Sequence, residues 1–356
     1  MSLNKKATIA VSAVLVSSAL LSGCGLFGGE EKEKIDPPSE MSINNEDANV
    51  ETEETTGEES GAADEAAETT TIPTELYLID NNGYVVSQTL DLPSTNSVAK
   101  QALEYLVVDG KVTELLPNNF RAVLPADTKM TVDVKDKVAH VDFSKEFAEY
   151  NPEDEARVLQ SVTWTLTQFD EIEQVKLSIN GNAIKEMPVN GTPIGEEVSR
   201  SIGINYDNSV VTDITNTKPV TVYYMGGEEE EKYFVPVTKR VSNNVDNNVT
   251  AIIDELGDPS LGSKLSAVLP SEVALLGEPK VEEGTITLDF DESIFSSGEE
   301  NVISENVLKV LALSLTEQAD VESVAVTVNG EADLLDEDGE KLEPVSRPES
   351  VNTGSY

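Results

Sequence analysis

An α+β fold repeated twice in tandem is predicted by three features of the sequence. Short motifs recur in unchanged order at a spacing of 145 to 149 residues. Within each copy, apolar positions switch between period two and period 3.6. Ahead of both copies lies a long acidic stretch with almost no large apolar side chain, which leaves the two copies to build the cores.

The repeat is explicit. Ala122-Val123-Leu124-Pro125 returns as Ala267-Val268-Leu269-Pro270, and Val141-Asp142-Phe143 returns as Leu288-Asp289-Phe290. Leu166-Thr167 matches Leu315-Thr316, and the run Val175 to Asn180-Gly181 matches Val324 to Asn329-Gly330. Val198-Ser199-Arg200 with Ile204-Asn205 matches Val345-Ser346-Arg347 with Val351-Asn352. The chain therefore divides into a signal segment (1–23), a modified cysteine with an acidic tether (24–73), a first domain (74–205), a linker (206–217), a second domain (218–352) and a tail (353–356).

Each domain reads ββ-α-ββ-α-β. Two short strands flank Asn82-Gly83, a strong hairpin turn. Asn96 or Ser97 can cap a helix with Val98, Ala102 and Leu106 on one face, closed by Asp109-Gly110. Val245, Val249, Ile252 and Leu256 give the same face in the second domain. A strand with Met130, Val132 and Val134 on one side turns into Val138–Phe143. Asn151-Pro152 then opens a helix whose apolar face is Ala156, Leu159, Val162, Leu166 and Phe169, because proline fits the first helical position. A strand through Val175, Leu177 and Ile179 closes the unit. This order predicts a small sheet with two helices on one face and free edges for another chain to pair with.

The start of the chain carries a second kind of signal. Lys5 and Lys6 precede an uncharged run from Ala7 to Leu21, and Leu21-Ser22-Gly23-Cys24 follows. Cys24 is the only cysteine of 356 residues, so no disulfide can form within the chain. The four residues resemble the bacterial lipobox, which implies cleavage before Cys24 and a diacylglyceryl group (with palmitate-type acyl chains) on its sulfur. Two acyl chains hold firmly where one holds marginally. The apolar run itself is too short to span a bilayer. Residues 25–73 carry fifteen acids against two lysines and reach about 40 Å as a coil. A formal net charge of −43 repels phosphate, so nucleic acid is excluded as a partner and membrane contact falls to the lipid alone.

Candidates for chemistry are few. His140 is the only histidine, and it sits on a strand where the second domain has Thr287, the pattern of a solvated face rather than a general base. Asp142 and Asp289 recur together, either as one half of a carboxylate pair or as turn caps. Arg200 and Arg347 hold the same place in two acidic domains, as an anchor for a partner's carboxylate or as an internal ion pair. Asp333, Asp336 and Asp338 before Gly339 do not fit a calcium loop, whose glycine falls at position six. Trp164 reads as core. No catalytic, cofactor or metal set emerges.

The Ala-Val-Leu-Pro motif, the strand ending Val-Asp-Phe-Ser, the helix with Thr165-Leu166-Thr167 and the strand ending Asn-Gly together resemble the GerMN domain. The first domain fits better than the second, which has Asp291 where the first has Ser144. The resemblance implies a fold like the ring-building modules of secretion systems. It implies a sporulation and germination lipoprotein without catalysis or cofactor, on the outer face of the cell membrane. During sporulation that is the space between mother-cell and forespore membranes. Its partners would be envelope proteins of the channel joining the two cells, with a homo-oligomer or ring as the assembled form. A cell-wall-acting or ligand-binding lipoprotein remains the alternative, and it predicts a cleft with convergent polar and aromatic side chains.

Overall fold

The computed structural model describes residues 70–207, 215–228, 231–243, 248–259, 263–295, 301–318 and 320–353. The signal segment, Cys24, the tether up to residue 69, Val245 and residues 354–356 lie outside the described residues.

In the first domain β1 (Thr71–Asp80) and β2 (Val85–Pro93) pair antiparallel around Asn82-Gly83. Gly83 has φ +86°, and Asp80 Oδ1 accepts from the N–H groups of Asn82 and Tyr84. The turn is thus held by a side chain folding back on its own backbone. β1 starts earlier than the Thr74 boundary read from composition, since Thr71, Ile72 and Pro73 ladder with Pro93, Leu92 and Asp91.

Helix α1 (Val98–Glu104) is shorter than its apolar spacing suggests and buries Ala99, Ala102 and Leu103. The chain leaves the helix because Leu106 O accepts from Val123 and Leu124, and Val108 N donates to Leu124 O. The Ala122–Pro125 motif is therefore what stops α1. Its first residues sit beside β3 (Phe120–Arg121), which adds to β1.

Strands β4 (Met130–Lys135) and β5 (Val138–Phe143) form a second hairpin, and helix α2 (Glu155–Leu166) crosses over to β6 (Gln174–Ile179), parallel to β5. The short β7 (Asn182–Ala183) completes a sheet of order β4-β5-β6-β7. The α+β class and the order of elements are those the sequence predicts. The strands, however, divide between two sheets. α2 packs against β1 and β2 of the hairpin sheet, against β6 of the four-stranded sheet and against α1. These contacts bury most of α2, polar Ser161, Thr163 and Thr165 included, whereas Ala156, expected on the apolar face, is exposed in its first turn.

The second domain repeats the plan with β8 (Thr217–Gly226), β9 (Tyr233–Ser242), α3 (Asn248–Leu256), β10 (Lys280–Glu282), β11 (Thr285–Phe290), α4 (Glu305–Leu315), β12 (Ser323–Val328) and β13 (Val345–Ser346). β11 and β12 are parallel across α4, as β5 and β6 are across α2. Val249, Ile252 and Leu256 are buried on α3, and α4 buries Val307, Leu311 and Leu315. Among the described residues no helix is long and apolar enough to cross a membrane.

Candidate functional site

The two domains meet along β2 and β9, and the residues that join them come from the recurring tails. Ile204 N donates to Thr238 Oγ1 at 2.8 Å and Ile204 O accepts from Thr238 N at 2.8 Å. In mirror fashion Val351 N donates to Thr89 Oγ1 at 2.8 Å and Val351 O accepts from Thr89 N at 3.1 Å. Each domain's tail is thus bonded to the second strand of the other domain. The next residue in each tail is asparagine in the left-handed region, Asn205 at φ +46° and Asn352 at φ +56°. Asparagine tolerates that backbone, and its amide offers a donor and an acceptor together.

Asn205 Oδ1 accepts from Val85 N, and its Nδ2 donates to Val85 O and Pro236 O, all at 2.7 Å. Asn352 Oδ1 accepts from Phe234 N at 2.8 Å, and its Nδ2 donates to Phe234 O at 2.9 Å and Ser87 O at 2.8 Å. The two strands are bridged by side chains, not by a ladder. The arrangement is that of a two-fold dimer interface made within one chain. The hairpin edges, free by sequence, are occupied by it.

Behind the seam lies a cluster of charges. Arg200 Nη1 reaches both carboxylate oxygens of Glu317 at 3.0 Å, and Arg347 Nη1 reaches Glu317 Oε1 at 3.1 Å. Arg347 also lies 3.8 Å from Glu75, and its Nη2 donates to Tyr223 OH at 3.3 Å. Tyr223 donates to Glu317, and Tyr77, its counterpart, donates to Glu75. The Arg200 guanidinium stacks 4.4 Å from the centre of the buried Trp164 ring, and its Nε donates to Thr167 Oγ1.

Two arginines and two glutamates balance, which is what burial of charge requires. Burial alone would raise the Glu317 carboxyl, but the guanidinium groups of Arg200 and Arg347 override it and hold it below its usual range. Burial pushes the Tyr77 and Tyr223 hydroxyls well up, so both remain neutral donors.

The other recurring residues are placed apart from this cluster. Asp142 Oδ1 accepts from Gly181 N at 2.7 Å, and Asp289 Oδ1 accepts from Gly330 N and Thr327 Oγ1, both at 2.8 Å. Each aspartate fastens the Asn-Gly turn of the neighbouring parallel strand rather than the turn after its own. His140 is exposed, opposite Asp133 on β4 and Lys176 on β6. Asp336 Oδ1 accepts from the backbone of Asp338 and Glu340, a local turn. Among the described residues no group of three or more His, Cys, Asp or Glu side chains could hold a metal ion.

Sequence reasoning missed Glu317, Glu75, the tyrosine pair and the seam role of Asn205 and Asn352. The asparagines had a signal, since they recur after Ile204 and Val351. Glu317 had none, because the repeat places Gln168 at its position.

It missed a second buried carboxylate as well. Glu155, at the start of α2, accepts from Tyr150 OH, from the N–H groups of Val189, Asn190 and Thr192, and from Thr192 Oγ1. Burial opposes its charge, and these donors bring its pKa down to about 2.

Paired β/α/β modules with a charge-balanced seam define the class, and sequence comparison agrees. The Germane profile, described as sporulation and spore germination, matches residues 75–185 and 221–333, and the chain belongs to this family. It is similar to the spore germination protein GerM of Bacillus subtilis (strain 168), at 51% identity over 99% of this chain and 100% of that protein. The solved tandem GerMN domains of B. subtilis GerM, a sporulation protein, match with a TM-score of 0.76 and 55% identity, covering 80% of this chain and 100% of that one. The family relationship supports a role in sporulation and germination.

Proposed function

We propose that the chain is a lipid-anchored, non-catalytic assembly protein of the cell envelope in sporulation and germination. Cys24 carries the diacylglyceryl anchor, the acidic tether holds the paired domains off the outer face of the membrane, and the domains bind other envelope proteins. During sporulation the site of action is the channel between mother cell and forespore. The observation that carries the non-catalytic part is the fate of the recurring polar side chains. Arg200, Arg347, Asp142 and Asp289 all bond within the fold, in a seam or a turn. A reactive constellation needs groups turned toward a ligand.

The experiment uses sporulating cells of the source organism. Labelled palmitate is expected in the wild-type chain and absent from Cys24→Ala, which leaves the membrane fraction or stays uncleaved. Crosslinking is expected to capture specific envelope proteins with the wild type. A Cys24→Ala chain that is processed and membrane-bound like wild type overturns the anchor. Turnover of purified peptidoglycan by the isolated protein overturns the assembly reading.

A further inference from the structure

The chain has four Asn-Gly pairs, Asn82-Gly83, Asn180-Gly181, Asn190-Gly191 and Asn329-Gly330, and the asparagine of each is exposed. Glycine has no side chain to keep its nitrogen from the carboxamide carbon of the residue before it, so asparagine is thermolabile there. The chemistry is a ring closure. The glycine nitrogen loses its proton and bonds to Cγ, and the carboxamide nitrogen leaves with that proton as ammonia. Water then opens the succinimide at either carbonyl, giving aspartate or isoaspartate.

Two features of a fold oppose this. The attacking nitrogen is an anion, so a carboxylate that accepts from its N–H disfavours it, about tenfold for each pKa unit. A carboxamide held by a hydrogen bond does not turn freely to present Cγ. The four turns combine these features in all four ways. At Asn329 both act: Asp289 Oδ1 accepts from Gly330 N at 2.8 Å, and Asn329 Nδ2 donates to Glu292 Oε1 at 3.1 Å. At Asn180 only the carboxylate acts, with Asp142 Oδ1 accepting from Gly181 N at 2.7 Å. At Asn190 only the carboxamide is held, its Nδ2 donating to Pro152 O at 2.6 Å, while Gly191 N donates to Met187 O. At Asn82 neither acts. Gly83 N donates to the neutral Asp80 carbonyl at 3.0 Å, and the Asn82 carboxamide makes no hydrogen bond among the described residues.

The charges around the Asn82 turn do not restore the protection. The Asp80 carboxylate is engaged by Asn82 N, Tyr84 N and Tyr233 OH. Arg157 lies on the other side, its Nε donating to Gly83 O at 2.7 Å. Together Arg157 and Arg121 answer Asp80 and Asp154, and Glu153 is exposed to solvent. The turn opens on a groove of about 880 Å³ lined by these side chains, so water reaches it.

We propose that Asn82 is a modification site where the folded chain deamidates spontaneously, ahead of its other Asn-Gly pairs, while Asp142 guards Asn180 and Asp289 guards Asn329. The product sets a new carboxylate beside Arg157, and as isoaspartate it adds a methylene to the backbone of the turn. Val85, whose N–H and C=O bond to Asn205 in the seam, is three residues away.

The test incubates the folded full chain at mildly alkaline pH and follows each Asn-Gly peptide by mass spectrometry, with isoaspartate and aspartate separated by chromatography. Asn82 is expected to convert at least fivefold faster than Asn180 or Asn190, and Asn329 to be the slowest. In denaturant the four are expected to convert at similar rates, because the guards are gone. Asp142→Asn keeps an acceptor and loses the charge, and is expected to speed Asn180 at least threefold while Asn82 is unchanged. Where Asp142→Asn lowers the melting temperature, Glu292→Ala decides, because Glu292 is exposed and its loss releases the Asn329 carboxamide. Asn329 is then expected to convert at least threefold faster. The proposal is overturned by another pair converting as fast as Asn82, by the same order persisting in denaturant, or by an unchanged rate in the deciding variant.

Discussion

Asn205 and Asn352 make the same three backbone hydrogen bonds from opposite ends of one seam, each with two bonds to one domain and one to the other. The duplication is therefore more than two beads on a string. Each domain completes the other, since Ser87 and Thr89 of β2 bond to Asn352 and Val351 in the tail of the second domain.

Replacing either asparagine by alanine leaves an N–H and two carbonyls of the seam without partners. Each variant is expected to lose about 2–4 kcal/mol in denaturant unfolding. In the double variant, calorimetry is expected to resolve two transitions where the wild type has one. A loss below about 0.5 kcal/mol for both singles would remove the asparagines from the account.

Glu317 balances two guanidinium groups, so its loss strands positive charge. Glu317→Gln, the residue the first domain has at this position, is expected to cost about 3 kcal/mol or more. Adding Arg200→Met should restore part of that loss. No recovery in the double variant would show that packing, not charge, sets the cost.

The Glu155 carboxyl has its pKa lowered from 4.5 to about 2 in the folded chain. A folded pKa below the unfolded one adds stability that is complete above about pH 4.5 and disappears as pH falls toward 2. The amount is of order 3 kcal/mol at most. Glu155→Gln is expected to flatten the acid limb of the stability–pH curve. An unchanged acid limb in that variant would contradict the hydrogen-bond cage.

Asp142→Ala loses the cap on Gly181, with an expected cost of about 1 kcal/mol, and Asp289→Ala, which loses two bonds, a little more. Asp142→Asn keeps an acceptor, so it should fold as wild type and sporulate normally. A sporulation defect in well-folded Asp142→Asn would give the carboxylate a role beyond the turn.

Much of the fold was legible because the repeat doubles every local signal. Asn82-Gly83 marked its hairpin, Pro152 marked the entry to α2, and the spacing of Val249, Ile252 and Leu256 marked α3. The apolar spacing predicts a longer α1 than the structure has, since what ends it is a backbone contact with Leu124, far along the chain. The split of the strands into two sheets was hidden for a similar reason. An alternating strand reads the same whichever of the two sheets it joins. Arg200 and Arg347 were legible as a pair, because both stand out against an acidic background. Their shared carboxylate was not, because Glu317 is one acid among 67. Nothing local distinguishes a buried acid from a solvated one.

The crossed tails also set an order of events during synthesis. Thr89 and the Val351 that bonds it are separated by 262 residues, so the first half cannot reach its final form while it alone has left the ribosome. Until the second half arrives, β2 has an unsatisfied edge and Arg200 has no carboxylate from Glu317. A chain interrupted midway therefore displays its own incompleteness to chaperones and proteases.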